Sequence, residues 1–191
     1  MTRLLAIFCT LILTLPMQAA ELGDDGLYKT PWMRDTFKDM GEDLAEANAE
    51  GKRLLVLMEQ RGCIYCKKMH EEVFSREDVT AYIEENYFVV QMDLRGSVEM
   101  TDFDGEVLPE RAMARKWGLL FTPTMMFFPP EVDGIPASQA VVAQIPGAID
   151  AGTMMDLLTW VVEERYLTED EEDFQSYRTR RDKERDDGRT N

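Results

Sequence analysis

Arg53-Leu54-Leu55-Val56-Leu57-Met58-Glu59-Gln60-Arg61-Gly62-Cys63-Ile64-Tyr65-Cys66-Lys67-Lys68-Met69-His70 joins two signals in eighteen residues. The run Leu54–Met58 is short, continuous and apolar, the pattern of a strand buried on both faces under covering helices. A Cys-x-x-Cys follows at once, and Lys67 to His70 continue as a helix. Cys63 is thereby expected at a helix N-terminus, where free N–H groups and the macrodipole favour a thiolate. Cys66, one turn into the helix, is expected to be shielded and to act second. A pair with two residues between closes almost no loop, so it gives the fold little stability. It reads as redox-active or metal-binding.

Outward from this stretch, Thr30-Pro31 reads as a helix start, with Trp32, Phe37, Met40, Leu44 and Ala47 at helical spacing to about Glu50 and Gly51 as the stop. Ser75 and Asp78 suggest a capping box for a helix reaching Asn86. Phe88–Met92 reads as a second buried strand, Leu94–Pro109 as a polar loop, and Glu110–Trp117 as a short helix ended by Gly118. Thr122-Pro123-Thr124 leads into a strand through Phe128. Pro129, Pro130 and Gly134 mark a turn, Val141–Ile145 a fourth strand, and Ala151–Tyr166 a last helix. The predicted fold class is α/β: a sandwich with a central mixed sheet flanked by helices, its first two strands parallel and its last two a hairpin.

The chain has 191 residues and a net charge of −16. Such an acidic surface excludes a nucleic-acid partner, which needs a basic footprint, and disfavours an anionic membrane. Residues 1–20 read as a secretory signal: Arg3, an apolar stretch from Leu4 to Leu15, Pro16, then Ala19 and Ala20. The apolar run is shorter than the ~20 residues of a spanning helix. Removal of the signal takes Cys9 with it and leaves two of three cysteines, both in the motif. Residues 21–167 then form one domain. Residues 168–191 carry acids and bases with almost nothing apolar and read as a charged disordered tail.

Proline entering a strand is unfavourable in a sheet interior unless something requires it. A cis Thr122–Pro123 peptide would expose backbone groups beside the dithiol to an extended substrate; a trans proline at a strand start is the alternative.

Cys63-Ile64-Tyr65-Cys66-Lys67-Lys68-Met69-His70, Met92-Asp93, Thr122-Pro123-Thr124 with Phe127-Phe128, and Pro146-Gly147, in this order, resemble the thioredoxin superfamily over about residues 32–165. Within it the chain resembles the periplasmic SoxW-type thioredoxins and the C-terminal domain of the DsbD reductase; Thr101-Asp102-Phe103-Asp104-Gly105-Glu106 also looks like the SoxW type. The resemblance implies a thioredoxin-like fold and a periplasmic thiol-disulfide oxidoreductase with Cys63 as nucleophile, Cys66 as resolving thiol and Pro123 as cis-proline. Gly62, Ile64, Tyr65 and Thr122 are the expected substrate contacts. It implies no cofactor beyond the Cys63–Cys66 disulfide. The expected partners are disulfide-bearing periplasmic proteins and an upstream thiol donor, met by a monomer with no membrane span in its mature chain.

Two departures from ordinary thioredoxins stand out. Leu57 occupies the place of their buried aspartate and Val89 that of its lysine partner, so the usual proton relay is missing. Glu59, two residues after Leu57 and on the same strand face, is the candidate substitute base. In addition, Gly62 replaces a tryptophan, and Ile64-Tyr65 the Gly-Pro between the cysteines. His70 follows Cys66 by four residues on one helix face and reads as a helix-surface or packing residue. Cys63, Cys66 and His70 also offer three soft ligands for zinc or copper, which keeps a metal carrier as an alternative beside an oxidase or isomerase. Lys67 and Lys68 are candidates for lowering a thiol pKa.

Overall fold

A computed structural model of the chain describes residues 20–167 and 173–189. The expected export signal, but for Ala20, lies outside the described residues. In chain order the elements are β1 (Glu21–Leu22), β2 (Tyr28–Lys29), β3 (Met33–Arg34), α1 (Met40–Ala49), β4 (Arg53–Glu59), α2 (Ile64–Glu72), α3 (Glu77–Asn86), β5 (Tyr87–Asp93), β6 (Glu99–Thr101), β7 (Val107–Pro109), α4 (Glu110–Lys116), β8 (Thr124–Phe127), α5 (Ala137–Ala140), β9 (Ala143–Pro146), α6 (Ala151–Val162) and α7 (Phe174–Arg189).

Five strands form the central sheet in the order β3-β5-β4-β8-β9. β4 is the middle strand, parallel to β5 with Leu57 opposite Gln91 and Glu59 opposite Asp93, and antiparallel to β8 with Val56 opposite Met126. Alternation along β4 divides the core. Leu55 and Leu57 face Met69, Ile83, Met154 and Leu157 from α2, α3 and α6. Leu54, Val56 and Met58 face Met40, Leu44, Met113 and Trp117 on the α1 and α4 side. Each fully buried leucine of this kind contributes roughly 1.5–3 kcal/mol relative to exposure, which fixes the register of a strand covered on both sides. The expected α/β sandwich with a mixed sheet is the observed architecture.

Several local readings are corrected. The helix expected from Thr30 begins only at Met40, because the Asp39 carboxylate caps it by accepting from the Gly41 and Glu42 amides. Upstream, Met33 and Arg34 pair in parallel with β5, and Phe37 stands in solvent. Within the expected loop 94–109, β6 and β7 form an antiparallel hairpin, turned at Gly105 with φ of 83°. Ser75 donates to the Glu71 carbonyl instead of capping α3, whose N-cap is Arg76. β8 and β9 pair antiparallel as expected, but α5 occupies the connection and the second strand is Ala143–Pro146.

The largest difference is α7, where a disordered tail was expected. It packs on α6 through aromatic contacts and an ion pair. Tyr177 is completely buried, and Phe174 meets the Trp160 ring at 6.0 Å. Arg185 grips the buried Asp156 carboxylate with two bonds of 2.8 and 2.9 Å. Bidentate pairing to a desolvated carboxylate is among the stronger polar contacts a helix can make.

Asp43 in the first turn of α1 is itself buried. Burial pushes its carboxyl up from 3.8 to about 6, against the Thr36 hydroxyl that donates to it, and Asp39, Glu46 and Glu42 add to the rise. As pH rises through that window the unfolded chain loses the proton before the folded one, so stability declines and stays lower above it. Asp43→Asn is expected to stabilise the protein by about 2 kcal/mol at pH 7.5 and by little at pH 3.5. Urea unfolding at the two pH values checks this; an equal gain at both, or none, contradicts it.

Candidate active site

β4 hands the chain to α2 through a tight turn. Gly62 takes φ of 72°, a left-handed conformation, although a Cβ there would meet nothing within 4 Å; backbone freedom, not space, demands glycine. Cys63 is the N-cap of α2, and its Sγ accepts the Cys66 amide at 3.0 Å. An anionic sulfur held there would accept the same N–H more strongly. The two cysteines form a disulfide in which Cys63 is half-buried and Cys66 is 1% exposed. The reachable sulfur is therefore Cys63.

The Thr122–Pro123 peptide is cis. It brings the Thr122 hydroxyl to 3.3 Å from Cys63 Sγ, donating to it, and the Thr122 carbonyl oxygen to 3.5 Å. The Pro123 carbonyl is engaged by the Gly147 amide at 2.7 Å, which ties this corner to the end of β9. Ile64, Tyr65, Leu120 and Phe121 are all more than half exposed around it. Leu120 and Phe121 escaped the sequence reading; two apolar residues between the Gly118 helix stop and Thr122-Pro123 were the available signal. Lys67 and Lys68 lie on the exposed side of α2, 3.5 Å from Glu71 and 3.8 Å from Glu72, so their ammonium groups are directed along their own helix.

Glu59 is 1% exposed and engages both carboxylate oxygens. Oε1 lies 3.0 Å from His70 Nε2, and Oε2 accepts the Gln91 amide at 2.6 Å. Gln91 also donates to the Tyr28 carbonyl at 2.8 Å and accepts Lys29 Nζ at 2.6 Å. His70 is not on the helix surface. It is buried, stacked on Tyr28 at 5.0 Å and edge-on to Phe74 at 5.3 Å. Among the described residues no three His, Cys, Asp or Glu side chains come together as a metal-holding group. The sequence placed Glu59 on the Leu57 face but gave it neither His70 nor Gln91 as a partner.

A thioredoxin-like domain model matches residues 40–161. The chain belongs to the thioredoxin-like family. Among solved structures it is similar to a thioredoxin-fold protein from Helicobacter pylori at 18% identity, covering 68% of this chain and 83% of that one with a TM-score of 0.53. It is also similar to a putative disulphide-isomerase from Bacteroides thetaiotaomicron, at 25% identity, 75% and 93% coverage and a TM-score of 0.47. The DsbD C-terminal domain of Neisseria meningitidis in its oxidised form gives 15% identity, 65% and 90% coverage and a TM-score of 0.42. No curated protein matches.

Within this thioredoxin-like frame the Cys63–Cys66 pair has the placement that thiol–disulfide exchange requires. One sulfur is accessible at a helix N-terminus, and the second waits behind it. Leu57, at the centre of β4, packs into the apolar layer and holds no proton. The ionisable groups on that face are displaced toward the end of the strand, at Glu59 and His70. No helix among the described residues is long and apolar enough to cross a membrane.

Proposed function

We propose that this chain is an exported, periplasmic thiol–disulfide oxidoreductase of the SoxW type that reduces disulfides in partner proteins. The observation that carries the reading is the single accessible sulfur of Cys63, capped by the Cys66 amide and faced by the cis Thr122–Pro123 corner. In the reduced protein the Cys63 thiolate attacks one sulfur of a partner disulfide, forming a mixed disulfide and releasing a partner thiolate. Cys66 then attacks Cys63 Sγ, the Cys63–Cys66 bond forms, and the second partner thiolate leaves. The partner gains two electrons and two protons, and an upstream thiol donor later returns them to the dithiol.

The apolar rim of Ile64, Tyr65, Leu120 and Phe121 supports a polypeptide substrate, since such side chains bury well against an extended segment. Export rests on residues 1–20, and an oxidising compartment suits a mature chain whose cysteines are confined to the active pair.

The test is the reduction potential of Cys63–Cys66, measured by alkylation trapping in graded thiol buffers. A value near or below about −230 mV is expected for a reductase. A value of about −120 to −180 mV would assign the same site to oxidation or isomerisation. A pair that does not cycle would end the redox reading.

A further inference from the structure

We infer that His70, oriented by Glu59, is the base that takes the proton from Cys66 when this thiol attacks the mixed disulfide at Cys63. The inference rests on the thiol-exchange reading of the site and adds a residue to it. An attacking thiol must lose its proton, and Cys66 is buried away from the water that would otherwise accept it.

The geometry selects one nitrogen. Glu59 Oε1 lies 3.0 Å from His70 Nε2, and a carboxylate oxygen can only accept there, so the tautomer that makes this bond carries its proton on Nε2 and a bare lone pair on Nδ1. Nδ1 is buried and has no hydrogen-bond partner among the described residues. An unpaired acceptor inside a protein is costly unless something uses it. Cys66 and His70 are separated by four residues on α2, and both belong to its buried face. Residues so spaced have Cβ atoms about 5–6 Å apart, and helical side chains lean toward the N-terminus, which carries the His70 ring toward the turn of Cys66.

Glu59 makes the transfer possible. A lone imidazolium in this apolar layer would be strongly disfavoured, whereas an imidazolium bonded to a carboxylate is a compensated pair. Gln91 holds the other carboxylate oxygen in place. The remaining charged groups facing the pair are few. Lys29 reaches it only through Gln91 and is itself paired with Asp25 at 2.6 Å, and Asp93 lies opposite Glu59 across the sheet. Tyr28 and Phe74 pack their rings on His70, and Trp32 stands behind them, edge-on to Phe74. The proton leaves Cys66 for Nδ1 as the Cys63–Cys66 bond forms and passes to solvent after the partner departs. In the reverse direction the same site reprotonates Cys66 as the donor opens the disulfide.

Stopped-flow reaction of the reduced protein with 5,5′-dithiobis(2-nitrobenzoate) tests this, because the two thiols release nitrothiobenzoate in separate steps. The first release reports attack by Cys63, the second resolution by Cys66. His70→Phe is expected to slow the second step by about 10²-fold at pH 7 and leave the first within about twofold. The second step should then rise tenfold per pH unit, following the thiol alone. Glu59→Gln should fall between the two. Should His70→Phe not fold, His70→Gln can still donate to Glu59 but has no ring nitrogen to protonate, and shows the same slowing. An unchanged second step, or a slower one with the wild-type pH profile, overturns the assignment. A wild-type protein that releases no nitrothiobenzoate in a second step fails differently: it refutes the exchange reading itself.

Discussion

Replacing Cys66 by serine is expected to turn the protein into a covalent trap. Cys63, itself only half-buried, keeps its place at the start of α2 and the Thr122 hydroxyl beside it, so the first attack on a partner disulfide proceeds. Resolution has no internal thiol left, and the mixed disulfide persists. Turnover of a disulfide substrate such as insulin should fall on the order of 10³-fold or more, the range seen when one member of a catalytic unit is removed. Non-reducing electrophoresis should show a thiol-sensitive adduct of chain plus substrate. Cys63→Ser should lose turnover equally but form no adduct, because the remaining Cys66 is 1% exposed. Adducts formed by Cys63→Ser and not by Cys66→Ser would reverse the order of attack.

The order of the longer elements from α1 to α6 and the placement of the dithiol were legible because they rest on strong local signals. Leu54–Met58 is an uninterrupted apolar run, and Cys63 follows it at the distance at which a strand gives way to a helix. Thr122-Pro123 stood out for the same reason, as a proline where a strand begins. The misread elements had weak or competing signals. Trp32 and Phe37 match a helical period by spacing alone, while the Asp39 cap sets the helix start at Met40. β6 and β7 are three residues each, too short for periodicity to register. The helix after Phe174 is polar nearly throughout, and its formation depends on Tyr177 finding a place in a core that only the folded sheet creates. The pairing of Glu59 with His70 was hidden for a related reason. Sequence shows which faces two residues occupy, and only the packing of α2 on β4 shows that those faces meet.

Asp102→Ala is expected to destabilise the fold by about 3–5 kcal/mol, the cost of breaking a buried charged network from one side. Asp102 Oδ1 accepts the amides of Phe103 and Ala137 at 2.8 and 2.9 Å, and Oδ2 accepts Trp117 Nε1 at 2.9 Å and meets Lys116 Nζ at 2.8 Å. One side chain therefore joins the hairpin turn, the end of α4 and the start of α5, which are distant in sequence. Alanine leaves the Trp117 indole and the Ala137 amide as donors buried without an acceptor. For a chain of this size the melting temperature should fall by about 10 °C. Asp102→Asn keeps an oxygen for the amides and should cost roughly half as much, separating hydrogen bonding from charge. A shift under about 2 °C for alanine would show that the hub is dispensable.

The docked C-terminal helix supplies an optical reporter. Trp160 is 6% exposed, with Tyr166 on one side at 5.7 Å and Phe174 on another at 6.0 Å. Lifting α7 would take Phe174 off the indole and wet it, moving its emission to the red while the sheet stays intact. Trp32 and Trp117, each in one of the two core layers, would report only on global melting. Partial and complete unfolding can thus be followed by different fluorophores of one unlabelled chain. A trimmed protein ending at residue 161, where the family match stops, would lose the first of these signals and bare the Asp156 carboxylate.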